Sequence, residues 1–136
     1  MKLVSYLNFN GQCAEAFRFY ERVLGGKIVG IMTHGETPIG DSVAPEWRDR
    51  VMHAHLEIGD QVLFGSDSPP EYFQKPQGMY VSIHVDDANE AERIFYALAE
   101  NGSVEMPIQQ TFWASRFGML TDQFGIPWMI NCAPGA

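Results

Sequence analysis

The sequence predicts an α+β fold made of two tandem βαβββ modules, and three observations support this prediction. The same order of five elements occurs in residues 1–67 and again in residues 79–136. Between them lies SPPEYFQKPQG (68–78), a segment with three prolines that is typical of a linker. The two predicted helices also share letters, EAFRFY (15–20) and EAERIFY (90–96). We therefore expect one domain over residues 1–136, composed of two similar modules joined by the linker.

In the first module, one helix and four strands follow from hydrophobic periodicity. Apolar residues at i, i+3, i+4 and i+7 predict an amphipathic helix over 12–24, and Gly25-Gly26 ends it as a left-handed cap would. Gly59-Asp60 predicts a tight hairpin turn. Residues 34–50 are rich in glycine, proline and charge and predict a long loop. The predicted strands are 3–9, 27–33, 51–58 and 61–67.

The second module repeats this order. A helix is predicted over 88–100, with Asp86-Asp87 as its N-terminal cap and Asn101-Gly102 as its end. The segment Asp122-Gln-Phe-Gly125 predicts a second hairpin turn. The predicted strands are 79–85, 103–110, 115–121 and 126–132.

Composition excludes several classes of protein. Hydrophobic residues make up 46% and charged residues 19%, which is typical of a globular chain and excludes disorder. The net charge of −8 argues against nucleic acid as a partner, because phosphate binding needs basic residues. We expect no membrane association, since no apolar run approaches the roughly 20 residues of a membrane-spanning helix. Cys13 and Cys132 are too few for a disulfide scaffold, and we expect a cytoplasmic protein with two free thiols.

The doubled module has an architectural consequence. One βαβββ unit makes a four-stranded sheet with a helix on one face, and the other face needs a partner. Two curved, antiparallel-type sheets that face each other would enclose a cleft, and concave sites of this kind commonly hold small ligands.

The residues resemble a known superfamily. The segments YLNFNGQCAEAFRFYERVLGGK (6–27), VMHAHLEIGDQVLFGSD (51–67), VSIHVDDANEAERIF (81–95) and TFWASRFGMLTDQFGIPWMIN (111–131) resemble the vicinal-oxygen-chelate proteins, which include glyoxalase I, extradiol dioxygenases and bleomycin-resistance proteins. More narrowly, they are similar to the PhnB-like branch. The resemblance implies a glyoxalase-like fold, a homodimer and a small-molecule ligand. This branch is often labelled a ubiquinone-pathway methyltransferase, but no glycine-rich G-x-G loop follows a strand here.

The resemblance also raises the question of a metal. Metal-dependent members hold one divalent ion with four inward residues, usually His, Glu or Gln. Those four positions align with Ser5, Phe64, Tyr80 and Met129, none of which is a usual ligand in such a site. We therefore expect no metal and no cofactor, and we expect these four side chains to line a ligand cleft instead. A divalent metal remains the alternative.

A relocated metal site would use histidine. His53, His55 and Glu57 alternate along one predicted strand and share a face, which fits either a rebuilt metal site or a partly wet strand face. His84 lies two residues after Tyr80, on the same face, where it could act as a general acid or base. A packed or surface histidine is the other interpretation of His84.

Other candidate ligand-binding residues are small polar groups and aromatics. Ser5, Ser66, Ser82 and Asn131 have the parity of the ancestral ligand positions, and polar groups among apolar neighbours need hydrogen bonds. If the face assignment of the first strand is wrong, Tyr6 and Asn8 replace Ser5. The other candidates are Trp113, Arg116, Phe117 and Trp128, which would form an aromatic wall with one guanidinium; alternatively they are core aromatics, with Arg116 paired to Asp122.

Three functions remain open at this point. The first is a metal-independent protein that binds a small molecule between its modules, with His84 as the candidate catalytic residue. The second is a lyase, isomerase or dioxygenase with a rebuilt metal site. The third is an interaction module without a ligand. A reactive thiol at Cys13, at the start of the first helix, is a further alternative.

Overall fold

The computed structural model describes residues 1–135 and has the element order predicted for both modules. The predicted loop over 34–50 contains three single-turn 3-10 helices between His34 and Trp47. The first module contains β1 (Ser5–Phe9), α1 (Cys13–Leu24), β2 (Lys27–Thr33), β3 (Val51–Ile58) and β4 (Gln61–Asp67). The second contains β5 (Val81–Val85), α2 (Ala88–Ala99), β6 (Ser103–Gln109), β7 (Arg116–Thr121) and β8 (Pro127–Cys132).

Each module forms its own four-stranded sheet. The strand orders are β1-β4-β3-β2 and β5-β8-β7-β6. The β1–β4 and β5–β8 pairs are parallel, and the other neighbours are antiparallel. The α+β class is confirmed, although the sheets are mixed because the first strand of each module runs beside the last in the same direction. The chain divides into two compact units, of which the first is Met1–Gln74 and the second begins at Lys75, inside the predicted linker.

Helix α1 covers one face of the first sheet. Its apolar stripe, with Ala16, Phe17 and Tyr20 fully buried, packs on the strands as the periodicity predicts. The ring of Phe17 lies directly over Gly65 of β4, where a Cβ atom would be 2.7 Å from it. The helix ends at Gly25, which has φ 72° and so adopts the left-handed cap conformation expected of glycine.

Helix α2 covers one face of the second sheet in the same way. The side chain of Asp87 accepts a hydrogen bond from the backbone N–H of Glu90 at 3.1 Å, which confirms the predicted cap. Phe95 lies over Gly118 of β7, where a Cβ atom would be 2.6 Å from the ring. The letters shared by the two helices do not give matching environments, because Tyr20 is buried whereas Tyr96 is 63% exposed.

Two buried carboxylates connect the elements within the modules. Asp67, at the end of β4, accepts three backbone hydrogen bonds. The donors are Gly11, just before α1, Cys13, the first residue of α1, and Val51, the first residue of β3. Asp122 accepts from two backbone N–H groups of its own turn, which organises the predicted hairpin. Since buried carboxylates need several donors, both residues fix local geometry rather than remain available for chemistry.

Candidate functional site

Each sheet has a face opposite its own helix, which we call the open face. In the first module, Leu7 and Phe9 of β1 and Leu63 of β4 are buried on the helix side. Residues paired directly across neighbouring strands lie on the same face. The pairs Tyr6–Phe64 and His55–Phe64 therefore place these three side chains together on the open face.

The open face of the first module carries an aromatic and imidazole cluster. The ring of Phe64 lies between two histidines, with centroid distances of 5.0 Å to His53 and 4.9 Å to His55. The Tyr6 hydroxyl is 3.3 Å from Nδ1 of His53, and its ring centroid is 6.3 Å from that of Phe64. These contacts make a partly apolar surface that includes two imidazole rings.

The H-x-H-x-E pattern is only partly assembled. His53 and His55 both contact Phe64, whereas Glu57 is exposed and pairs in register with Lys27 of β2. Nε2 of His55 is buried and has no hydrogen-bond partner among residues 1–135. Within residues 1–135, no three His, Cys, Asp or Glu side chains form a group that could hold a metal ion.

The predicted position of Ser5 is wrong. Ser5 pairs with the buried Leu63 and so has the parity of the helix-covered face. The alternative residues of β1 take its place, because Tyr6 pairs with Phe64 and Asn8 pairs with Ser66. The Ser66 hydroxyl donates to Oδ1 of Asn8 at 3.3 Å, so these two polar groups satisfy each other on the open face.

The open face of the second module contains two adjacent cross-strand rows. One row runs Ser82, Met129, Met119, Met106 from β5 to β6. The next runs His84, Asn131, Phe117, Gln109. All of these side chains are exposed or half-buried, whereas their neighbours Trp128, Ile130 and Leu120 are buried on the helix side.

His84 is the centre of a polar trio. Its Nε2 is 2.9 Å from the hydroxyl oxygen of Ser82, and its Nδ1 is 3.4 Å from the amide nitrogen of Asn131. The three residues come from β5 and β8, whose parallel register places them side by side. A histidine whose two ring nitrogens both have polar partners has a defined orientation, as an acid or base requires.

Tyr80 belongs to a separate hydrogen-bond network at the start of β5. Its hydroxyl donates to Glu105 at 2.7 Å, and the Thr121 hydroxyl donates to the other oxygen of the same carboxylate at 2.8 Å. The bond to Glu105 raises the pKa of Tyr80, since it stabilises the neutral phenol. The bonds from Tyr80 and Thr121 in turn lower the pKa of Glu105. The Tyr80 hydroxyl is therefore neutral, and its proton is already engaged in the hydrogen bond to Glu105.

The predicted aromatic wall is divided between the two sides of the sheet. Trp113 is 44% exposed, and its ring centroid is 5.3 Å from that of Phe117 on the open face. Trp128 is 1% exposed on the helix side and donates its Nε1–H to Asp122 at 2.8 Å, so the prediction that it lines the cleft is wrong. The hydrophobic alternation of β8 explains this, because Trp128 has the parity of Ile130.

Arg116 pairs with a helix rather than with the hairpin. Its guanidinium donates to Glu92 of α2 at 2.7 Å and to the carbonyl of Ser115 at 2.7 Å. The predicted partner, Asp122, instead bonds to its own turn and to Trp128. Arg116 pairs directly with Cys132, which is buried on the helix side, so the sheet register does not place it on the open face.

The Cys13 thiol is buried rather than reactive. Burial, and secondarily the negative charge of Asp67, raises the pKa of this thiol well above its usual range. Because the thiolate is the nucleophile, the position at the start of α1 does not activate this cysteine. Both cysteines are free and buried.

Comparison with known proteins identifies the family. The family model described as 3-demethylubiquinone-9 3-methyltransferase matches residues 1–131. The chain belongs to this family. Within it, the chain is similar to the PhnB protein of Bacillus cereus, a solved structure 26% identical, with a TM-score of 0.82, that covers 98% of this chain and 100% of that one. This confirms the PhnB-like branch.

Further relatives span the same length as this PhnB-like chain. YjdN of Escherichia coli is 35% identical over 96% of this chain and 95% of its own. The crystal structure of protein PA1353 from Pseudomonas aeruginosa is 46% identical, with a TM-score of 0.90 and 98% coverage of both chains. A structure from Bacillus cereus described as a possible glyoxalase has a TM-score of 0.61 at 18% identity, which supports the glyoxalase-like fold alone.

The strand register of this PhnB-like chain thus shows on which face of its sheet each predicted site residue lies. Its open faces hold Phe64 and Ser66 in one module and Ser82, His84, Met129 and Asn131 in the other. Tyr80 lies beside the second group through Glu105. Sequence reasoning did not single out Met106, Met119 or Glu105, although the alternation of Phe117 with the helix-side Gly118 already gives Met119 the parity of the open face.

Neither of the two α-helices within residues 1–135 has the length and apolarity needed to cross a membrane. Each is 12 residues long, well short of the roughly 20 that a membrane requires.

Proposed function

We propose that this protein binds a small organic molecule on the open faces of its modules, without a resident divalent metal. The observation that carries the proposal is the make-up of those faces. In the first module the half-buried Phe64 lies beside the polar groups of Tyr6 and His53. In the second module the half-buried Met129 pairs with Ser82, whose hydroxyl lies beside His84. Ligand sites in proteins are commonly mostly apolar, with a few placed polar groups.

The residues at the ancestral ligand positions support a site without the usual metal. Phe64 has no donor atom, Met129 offers a thioether, and Ser5 has the parity of the other side of its sheet. The Tyr80 hydroxyl donates to Glu105. None of the four offers the carboxylate or imidazole that a hard or borderline ion prefers.

Methyl transfer is not part of the proposal, although the family description names it. Nucleotide-type cofactors bind at glycine-rich turns that join a strand to a helix. In this sequence no two glycines are separated by a single residue, and the turns from β1 to α1 and from β5 to α2 lack such a motif.

The alternative is a metal-dependent lyase, isomerase or dioxygenase with a rebuilt site. The observation that favours it is Nε2 of His55, a buried ring nitrogen without a hydrogen-bond partner in the described part of the chain. Such a nitrogen could coordinate a metal ion or accept a hydrogen bond from a ligand. His53, beside it on the same strand face, would be the second ligand.

Two measurements on protein purified without chelator test the proposal against this alternative. We expect far less than one equivalent of any divalent metal. We also expect at least one compound in a thermal-shift screen of small metabolites to raise the melting temperature. Stoichiometric metal that His53→Ala or His55→Ala removes would replace the proposal with the metal-dependent alternative. If neither metal nor any metabolite stabilises the protein, an interaction module without a ligand becomes the better account.

We also propose a homodimer in the cytoplasm. Each described sheet has two edge strands, β1 and β2 in one and β5 and β6 in the other, with one side unpaired within that sheet, and such edges invite pairing. Light scattering coupled to size-exclusion chromatography should give twice the mass of 15.3 kDa. A monomer mass in dilute solution would contradict the dimer. It would not contradict the proposed ligand binding, which a monomer could also carry out.

A further inference from the structure

The methionine row of the second module is an apolar platform. Met119 pairs with Met129, and Met106 pairs with Met119 between two register irregularities of β6, so the row contains three thioether side chains on β6, β7 and β8. Neighbouring strands are about 4.8 Å apart, so the row extends about 10 Å. All three side chains are half-buried. Methionine side chains adapt their shape and make favourable contacts with aromatic rings, so a planar two-ring molecule fits such a surface.

An aromatic pair borders this platform on one side. Phe117 lies in the adjacent row, beside Met119 on the same strand face, and its ring makes an edge contact with Trp113. Edge contacts of this kind recur between aromatic rings and would extend to a bound ring. The apolar surface therefore combines a base of methionine side chains with one aromatic side.

One end of the platform carries the polar trio. Ser82 pairs in register with Met129, so its hydroxyl lies where the row reaches β5. The same hydroxyl is 2.9 Å from Nε2 of His84. A ring placed over Met129 and Met119 would have its edge beside this hydroxyl, about one strand spacing away.

The trio can offer either a donor or an acceptor to a ligand oxygen. If the Asn131 amide donates to Nδ1 of His84, Nε2 carries the proton and donates to Ser82, which leaves the Ser82 O–H free to donate. If the amide is turned over, Nδ1 donates to Asn131, Nε2 accepts from Ser82, and the Ser82 oxygen accepts from a ligand hydroxyl. A phenol and its carbonyl counterpart would both be bound.

From this juxtaposition we propose that the open face of the second module binds a flat aromatic molecule that carries a hydroxyl or carbonyl oxygen on its ring. The ring lies on Met129 and Met119, and the ring oxygen hydrogen-bonds to the Ser82 hydroxyl, which His84 and Asn131 orient. This assignment rests on the proposed ligand-binding function and names the chemical class of the ligand.

Calorimetric titration with two probes tests the assignment on the full chain. The probes are 2-naphthol and 2-methoxynaphthalene, which share the ring system but differ in the ability to donate a hydrogen bond. One neutral hydrogen bond corresponds to about a two- to tenfold difference in dissociation constant. We expect 2-naphthol to bind by that factor more tightly, and Ser82→Ala or His84→Ala to remove the difference. Met129→Ala should weaken binding of both probes.

Matched controls separate these effects from general damage to the fold. Ser5→Ala removes a hydroxyl from a residue of β1 that has the parity of the helix-covered face. Met52→Ala removes a methionine outside the row. Both should leave the two dissociation constants unchanged. Ser82 and His84 are exposed, so their alanine variants should fold normally.

Two results would overturn the assignment. Equal affinity for the two probes, combined with no effect of Ser82→Ala on either dissociation constant, would exclude recognition of a ring oxygen by the trio. No binding of either probe would exclude this class of ligand. The proposed function is judged separately by the metabolite screen, because a non-aromatic metabolite could still raise the melting temperature when both naphthalenes fail.

Discussion

Replacing Asp67 by asparagine should destabilise the protein far more than its conservative chemistry suggests. The carboxylate is 4% exposed and accepts three backbone hydrogen bonds, from Gly11 at 3.0 Å and from Cys13 and Val51 at 2.9 Å each. In Asp67→Asn one carboxylate oxygen becomes an NH₂ group, so at least one of these N–H groups faces another donor. A buried unsatisfied group costs about 1–3 kcal/mol, and the remaining bonds lose their charge-assisted strength.

The expected loss is about 2–4 kcal/mol, a large share of the roughly 5–15 kcal/mol by which a domain is stable. Urea unfolding followed by circular dichroism measures it by linear extrapolation. The control is Asp60→Asn in the exposed β3–β4 turn, where Asp60 bonds only to its neighbour Gln61 within the contacts described and should change stability by less than about 0.5 kcal/mol. A loss below about 1 kcal/mol for Asp67→Asn would refute the assignment of Asp67 as the junction of β4, α1 and β3.

Two further predictions follow from contacts within the modules. Gly65→Ala should destabilise by about 1–3 kcal/mol in the same urea assay, because its Cβ would lie 2.7 Å from the ring of Phe17. Gly30→Ala should be neutral or slightly stabilising, because a Cβ at Gly30 would have no non-neighbouring atom of residues 1–135 within 4 Å. Glu105→Gln should lower the raised pKa of Tyr80 in an ultraviolet titration. Because the folded-state pKa is the higher one, the stabilisation from this bond is present below the unfolded value of about 10 and is lost as pH rises through the folded value; an unchanged pKa would contradict the bond.

The fold was predictable because local signals agree with the long-range order. The structure confirms the predicted bounds of β2, β3 and β4, since glycines and the Gly59-Asp60 turn mark their ends clearly. The first strand begins at Ser5 rather than residue 3, and β6 ends at Gln109 rather than residue 110. Strand and helix ends without a turn signal depend on tertiary contacts, which a single sequence does not contain.

The candidate site was less predictable, because it depends on which face each strand turns toward its helix. For Ser5, alignment with the family outweighed the stronger local signal, in which Leu7 and Phe9 are the apolar residues of the same parity. Trp128 was misplaced for a different reason: it was grouped with the aromatic residues around the second hairpin, although it has the parity of the helix-side Ile130. The partners of Arg116 and Tyr80 lie in other elements, and no spacing in the sequence indicates that Glu92 or Glu105 would reach them.

The seven methionines of the chain allow a direct test of where a ligand binds. Methyl-labelled methionine gives one NMR signal for each, and a compound that raises the melting temperature can be titrated while all seven are followed. The account predicts that the signals of Met106, Met119 and Met129 shift together, whereas those of Met52 and Met79 stay in place. Shifts confined to Met52 and Met79, with the three open-face methionines unchanged, would contradict the claim that the open face of the second module holds the ligand.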